Sequence, residues 1–340
     1  MNNKKIIFRI ITLLALVTVG LIFTGCASRK DFTAFTKEYD QTVTGINLKL
    51  DISEIEVKKS EGDKIILQYY DTAEGFYDVK EESGVLNVTR TNLGELQENI
   101  RFGLGMKKYY KITLSLPVGY TGGIQLETTS GDVTVKGITS ENESITIKSD
   151  TGDIKVNGVS VSDLNIDGKT SETVLKKLNV SNVSVNTVAG EVLVSDSECA
   201  KYDVKGEAAD VELKNVSIGQ VNVQITTGNV DFINAKVGGS VYVSATTGDV
   251  SAEGLDTGTC TVSSKIGDIY LKNLWIGSDL YLVSEDGDIT AYVSDSLTGF
   301  TLDAVSEYGK NNLQGISGFN GFKNLIARNV TGDINIKFVS

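Results

Sequence analysis

The side chains able to do chemistry are few in kind and regular in placement. The chain has no histidine. That removes Ser-His-Asp and Cys-His nucleophiles and most zinc sites. Its cysteines are Cys26, Cys199 and Cys260. Carboxylates are plentiful, with Asp150 near Asp153 and Glu285 beside Asp286 and Asp288. Two carboxylates are enough for glycoside cleavage. These acids, however, keep a period. A small residue, an acidic or amide residue and a β-branched residue recur as Gly131-Asp132-Val133, Gly152-Asp153-Ile154, Gly190-Glu191-Val192, Ala209-Asp210-Val211, Gly228-Asn229-Val230, Gly248-Asp249-Val250, Gly267-Asp268-Ile269, Gly287-Asp288-Ile289 and Gly332-Asp333-Ile334. The steps are 19 to 21 residues, apart from one of 38 and one of 45 that each hide a degenerate copy, near Ser171 and at Gly309. Acids that repeat with the backbone are turn residues before they are catalysts: Gly tolerates positive φ and Asp can bond its own backbone. Stacked carboxylates about 4.8 Å apart would repel, and calcium could relieve that. The Gly-Gly-x-Gly-x-Asp pattern of calcium-binding β-rolls is absent, though. The sequence therefore predicts no catalytic residue, no metal and no cofactor.

The elements that carry these turns read as β. After Gly228 come Val230 and Phe232, and Val241, Val243 and Ala245 precede the next Gly. Val133/Val135, Ile154/Val156, Val211/Leu213 and Ile269/Leu271 fill the first slots elsewhere, and Leu164/Ile166, Val183/Val185, Val221/Val223 and Leu280/Leu282 the later ones. Spacing of two in β-branched residues is strand spacing. A third apolar slot (Ile138, Val159, Leu178, Val216, Leu255, Leu274) is out of parity with the first pair, so a bend lies between. Such units stack as coils. The expectation is an all-β fold, a single-stranded parallel β-helix of about eleven coils with inward Val/Ile/Leu columns. Val223, Val243, Val262 and Leu282 are expected inside. The one proline, Pro117, precedes the clear repeats, as a ladder requires. Residues 46–120 contain strand-like runs without the Gly-Asp signature and are expected to form irregular first coils or a small β cap, with repeats over 121–340. No separate C-terminal cap is visible; the enlarged turns with Phe300, Phe319 and Phe322 are assigned that job.

The first residues read as an address. Lys4, Lys5 and Arg9 precede an apolar run from Ile10 to Phe23, then Thr24, Gly25 and Cys26. This is a secretory signal over residues 1–25, short for a membrane span. Phe23-Thr24-Gly25-Cys26 resembles the bacterial lipoprotein box, with Phe where Leu is usual. That resemblance implies diacylation of Cys26 as the first mature residue, with 26–45 as anchor and linker. It places the protein at the outer face of the bacterial cell membrane or in the outer membrane; two acyl chains anchor stably. Removing residues 1–25 takes away three positive charges and no acids, so the net charge goes from −12 to −15. An acidic rod without basic clusters is a poor binder of nucleic acid or anionic lipid.

Cys199 and Cys260 fall on inward columns about three coils, or roughly 14 Å, apart, beyond disulfide reach. They are expected to be free core residues. Adjacent threonines (Thr128/Thr129, Thr226/Thr227, Thr246/Thr247) point opposite ways along a strand and make no ice-binding rank. Lys107-Lys108-Tyr109-Tyr110-Lys111 is a short cluster entering a strand. Trp275, with Tyr270 and Tyr281, is the better candidate for an exposed aromatic patch.

The succession Ile112-Thr113-Leu114-Ser115-Leu116-Pro117, then Leu126-Glu127-Thr128-Thr129-Ser130-Gly131-Asp132-Val133, then repeated Thr-Gly-Asp coils, resembles the bacterial putative-adhesin family of unknown function, over residues 46–340. The resemblance implies a right-handed parallel β-helix displayed on the cell envelope and brings no catalytic or binding residues with it. Three readings of function follow. The first is a non-catalytic adhesion module that binds a glycan or an envelope protein through a solenoid face. The second is an envelope-stress sensor or accessory subunit with a membrane partner, and the third a polysaccharide enzyme. The absence of histidine, metal-ligand spacing and a nucleophile–base pair favours binding over catalysis.

Overall fold

The computed structural model describes residues 32–73, 75–90, 107–316 and 320–339. Cys26, the signal segment and Phe319 lie outside the described residues. The fold is all-β, a β-solenoid of about ten turns. Among the described residues the only helical pieces are short 3₁₀ turns at Lys107–Tyr110 and Leu297–Gly299.

One coil shows how the sequence makes the shape. Val250 and Ala252 point inward on a first side. Gly254 then takes φ +77°, and the chain bends. Leu255 and Thr257 are buried on a second side, and Cys260, Val262 and Ser264 on a third. The bend explains the break in parity. Ala252 and Leu255 are three apart, yet both face the core, because a left-handed residue between them rotates the strand. The equivalent bend falls at Lys177, Asp196, Asn215, Asn234 and Asn273, all with φ between 51° and 53°. Asparagine and aspartate tolerate that region best among side-chain-bearing residues. Asn215 Nδ2 also donates to Asp196 Oδ1 (3.2 Å), and Asn234 Nδ2 to Asn215 Oδ1 (3.3 Å), so polar side chains bond from coil to coil.

Equivalent strands pair in parallel and in register. Val211, Val230, Val250, Ile269 and Ile289 form one inward column. Val221, Val241, Cys260, Leu280 and Leu325 form another. Val223, Val243, Val262 and Leu282 are all 1 % exposed or less, as expected. β-branched residues on alternate positions suit this pleated surface, and stacking gives each column a continuous apolar contact.

The ends depart from sequence order. Near the N-terminus the strands are β1 (Thr33–Tyr39), β2 (Gly45–Lys49), β3 (Glu54–Lys59), β4 (Ile65–Asp71), β5 (Tyr77–Glu82), β6 (Val85–Arg90), β7 (Lys111–Leu116), β8 (Gly123–Thr128) and β9 (Val133–Lys136). β2 pairs in parallel with both β6 and β8, and β3 with both β7 and β9. The coil of residues 45–59 is therefore inserted between the later coil of β6 and β7 and the first Gly-Asp coil. A boundary near residue 120 divides the sequence, not the ladder. β5 lies antiparallel on β6, β4 on β7, and β1 on β4, so the outermost coil is covered by antiparallel strands. The other end repeats the inversion. Lys323–Asn329 sits between Leu280–Asp286 and Phe300–Ser306, in parallel with each. Phe300 is fully buried there, whereas Phe322 is fully exposed and covers nothing, contrary to the role expected for it.

Candidate functional site

The Gly-Asp corners come first, because the sequence makes them the obvious site. Gly248 has φ +136°, and a Cβ built on it would lie 1.8 Å from the Gly228 carbonyl oxygen. Glycine stands there because the backbones of successive coils stack in contact. The aspartates do not bond their own backbone, as the sequence suggested. Asp132 Oδ1 accepts the backbone N–H of Asp153 (3.0 Å), and Asp153 Oδ1 that of Glu172 (3.3 Å). Asp249 Oδ1 accepts from Asp268 N (2.8 Å), Asp268 from Asp288 N (2.7 Å), and Asp288 from Asp333 N (2.8 Å). Asp333 in turn accepts from Lys310 N (2.7 Å). Each carboxylate thus satisfies a donor on the next coil, at a corner where the main-chain ladder is interrupted. The neighbouring acids are similarly engaged. Asp150 pairs with Lys169 (2.8 Å), and Asp286 accepts from Thr331 Oγ1 (2.9 Å). No group of three or more metal-ligating side chains is present among the described residues. The corner carboxylates tie one coil to the next.

The same corners hold a second regularity, three residues before each Gly. Thr128 Oγ1 accepts from Gly131 N (3.0 Å), and Ser149 Oγ from Gly152 N (3.0 Å). The column continues as Gly168, Thr187, Gly206, Ile225, Ala245, Ser264 and Ser284. Where the turn carries a side chain instead of Gly, at Ser171 and Ala209, this position is itself Gly. A Cβ on Gly168 would lie 2.5 Å from Ser171 Oγ, and one on Gly206 would lie 2.8 Å from Ala209 Cβ. Each corner therefore has room for a single inward side chain.

Beside that column the third side of the coils is hollowed. A groove of about 530 Å³ runs along the rod axis over five successive coils. Its wall is the outward column Asp167, Asn186, Lys205, Gln224 and Ser244, and its floor includes Gly168, Thr187, Gly206 and Ile225. Val188, 45 % exposed, and Glu207 stand on the other side. The buried Ser171 hydroxyl has no hydrogen-bond partner and lies against Gly168. The lining has carboxylates, one ammonium group, amides and hydroxyls, and no nucleophile held by a base. Its length and open form can hold an elongated molecule.

A family profile named Toastrack DUF4097 matches residues 43–265, well over half of the chain. The chain belongs to the Toastrack DUF4097 family. The matched stretch opens with the inserted coil of β2 and β3 and includes the whole groove. Solved structures similar to this Toastrack chain include a putative adhesin from Parabacteroides distasonis, 10% identical, with 73% of this chain and 97% of that one covered and a TM-score of 0.49. A putative adhesin from Parabacteroides merdae is 12% identical, with 76% and 97% covered and a TM-score of 0.44. A putative lipid binding protein, also from Parabacteroides distasonis, is 12% identical, with 91% and 97% covered and a TM-score of 0.41. No curated protein matches the chain.

The aromatic side chains of this Toastrack solenoid do not form the single patch expected. Tyr270 and Trp275 belong to one coil, but the bend at Asn273 lies between them. Tyr281 is on the third side, in an outward column with Tyr242. In the Lys107–Lys111 cluster, Tyr109 and Lys111 are engaged within the fold. Lys111 bridges Glu54 (3.0 Å) and Glu56 (2.8 Å), and Tyr109 stacks on Phe32 with centroids 4.5 Å apart. Cys199 and Cys260 are buried and free, and burial pushes both thiols up to about 12. The groove was not foreseen. Its wall, Asp167, Asn186, Lys205, Gln224 and Ser244, keeps the period of the repeat, but nothing in these residue types marks a hollow.

Proposed function

We propose that this Toastrack protein is a non-catalytic binding module of the bacterial envelope. In this reading it is exported, anchored by lipid at Cys26, and holds an extended polymer along the third side of its solenoid. One observation carries the reading: the groove follows the rod axis across five coils, with amides, hydroxyls and charged groups along its wall. An axial groove on a stack of repeats suits a ligand that is itself long and repetitive. The acidic balance disfavours nucleic acid as that ligand. The names of the similar structures, putative adhesin and putative lipid binding protein, are of the same general kind.

The test is capture of envelope components by the full chain, with a variant that fills the groove. Asn186→Trp changes an exposed wall residue and leaves the core untouched. Wild type should retain bound material that this variant loses, while both fold alike by circular dichroism. Equal capture by both proteins would remove the groove from the binding role. Turnover of a captured polysaccharide, abolished by changing Asp286 and Asp288 together, would replace binding with catalysis.

A further inference from the structure

The third side of the solenoid changes character along its length. On the coils nearer the N-terminus its outward positions are Thr146, Asn165, Ser184 and Asp203 in one column, and Lys148, Asp167, Asn186 and Lys205 in the next. Half of these are ionic. On the following coils the first column is Asn222, Tyr242, Thr261 and Tyr281. The second is Gln224, Ser244, Ser263 and Val283. None is charged, although the chain carries 32 basic and 44 acidic residues and outward positions are where they reside. The strip is continuous with the groove, since Gln224 and Ser244 belong to both.

The two tyrosines are set by register. Tyr242 pairs with Thr261, and Thr261 with Tyr281, so the rings rise from alternate coils of one straight column. Parallel strands lie about 4.8 Å apart, which separates the ring positions by roughly 10 Å along the axis. Tyr242 is exposed and Tyr281 half-buried, with Thr261 low between them. The adjacent column offers the Gln224 amide and the Ser244 and Ser263 hydroxyls at the same rise, with Val283 beside Tyr281.

We infer that this strip binds an uncharged, extended β-linked glycan lying parallel to the rod axis, with alternate sugar rings seated on Tyr242 and Tyr281. The inference rests on the binding role proposed above and names its ligand. A pyranose ring presents an apolar C–H face that packs on an aromatic ring, and its equatorial hydroxyls exchange hydrogen bonds with amides and hydroxyls beside it. In an extended β-linked chain alternate rings face the same way, at close to the spacing of the two tyrosines. Charge complementarity agrees: an uncharged strip on an acidic molecule neither attracts nor repels a neutral polymer, whereas the surrounding acids disfavour a polyanion. A peptide is a poorer fit. Strand addition needs an unpaired edge, and the backbones beneath this strip are paired on both sides by neighbouring coils.

The full chain, purified in a detergent without a sugar head group, should be titrated calorimetrically with four probes. These are a β-linked glucan hexamer, a β-linked N-acetylglucosamine hexamer, an α-linked glucan hexamer and polygalacturonate. At least one of the β-linked neutral hexamers should bind, and the α-linked and acidic probes should not. Tyr242→Ala and Tyr281→Ala should each weaken binding about tenfold or more. Trp275→Ala, on another side of the coil, should leave it unchanged. The double change Thr261→Tyr with Tyr281→Thr keeps the composition but puts the rings on adjacent coils; it should abolish binding. Failure of both β-linked hexamers to bind, or full affinity in the tyrosine variants, would overturn the inference. If envelope capture then still depends on the groove, the binding role stands without this ligand; if capture is lost as well, both fall.

Discussion

At the scale of single residues, the corner admits one side chain, and the sequence records the choice. Ser149 with Gly152 and Thr187 with Gly190 place the side chain on the early position. Gly168 with Ser171 and Gly206 with Ala209 place it on the late one. The prediction is reciprocal. Gly206→Ser alone would force its Cβ to within 2.8 Å of Ala209 Cβ, inside a stack with no slack. Overpacking of this kind costs roughly 1–3 kcal/mol. Ala209→Gly alone should cost less, through backbone entropy. The double change, which rebuilds the Ser149–Gly152 arrangement, should recover most of the loss. Chemical denaturation of the four proteins measures the coupling; simple additivity would show that the two positions do not share one space. The degenerate copies, which look like decay of the repeat, are in this light the same corner built with its side chain on the other residue.

At the scale of elements, β3 and β7 are joined by a contact that acid should weaken. Lys111 on β7 donates to Glu56 on β3 and holds its carboxyl below the ordinary value, against the opposing effect of partial burial, with Lys136 and Lys58 adding attraction. A depressed carboxyl pKa means that the folded state takes up this proton less readily than the unfolded chain. The stability it contributes is complete above the ordinary value of 4.5 and is lost as pH falls through the folded one. Glu56→Gln should therefore lower the Tm near neutral pH and shrink the further drop below about pH 4.5. Parallel melting curves for variant and wild type across that range would contradict the linkage. Much at this scale was legible beforehand. Alternation such as Val230 with Phe232 and the parity break before Leu255 located strands, bend and core, because local pattern and tertiary burial agree. The bonding of Asp249 to the coil above was not legible. Its partner lies 19 residues away, and a local reading supplies a local acceptor instead. The groove was hidden for a related reason: its wall is built from residues one coil apart, such as Asn186 and Lys205, which meet only when coils are stacked.

For the whole molecule, the inverted ends separate order in sequence from order in space. Strand-like runs such as Ile46–Ile52 gave no hint of this, because nothing in one strand specifies which neighbour it meets. The consequence is mechanical. In a sequential solenoid the terminal residues form the last coil and fray first. Here Lys323–Asn329 is paired on both faces, and Phe300–Ser306, although internal, is the outermost strand and pairs only with it. Removing residues 317–340 should thus release two coils, not one. Phe300–Ser306 would lose its single ladder partner, and Leu280–Asp286 would become an open edge. Hydrogen exchange on the truncated chain should show 300–316 exchanging without protection, while 45–59 and the middle coils stay as slow as in the intact protein, since coupling in a solenoid is between neighbours. The competing outcome is specific. Phe300, Leu302 and Ala304 have the alternation needed to dock directly on Leu280–Asp286 in simple sequential order. If 300–316 remained protected after truncation, that docking would have occurred, and the inserted coil would be one of two nearly equal arrangements and not a requirement of the fold.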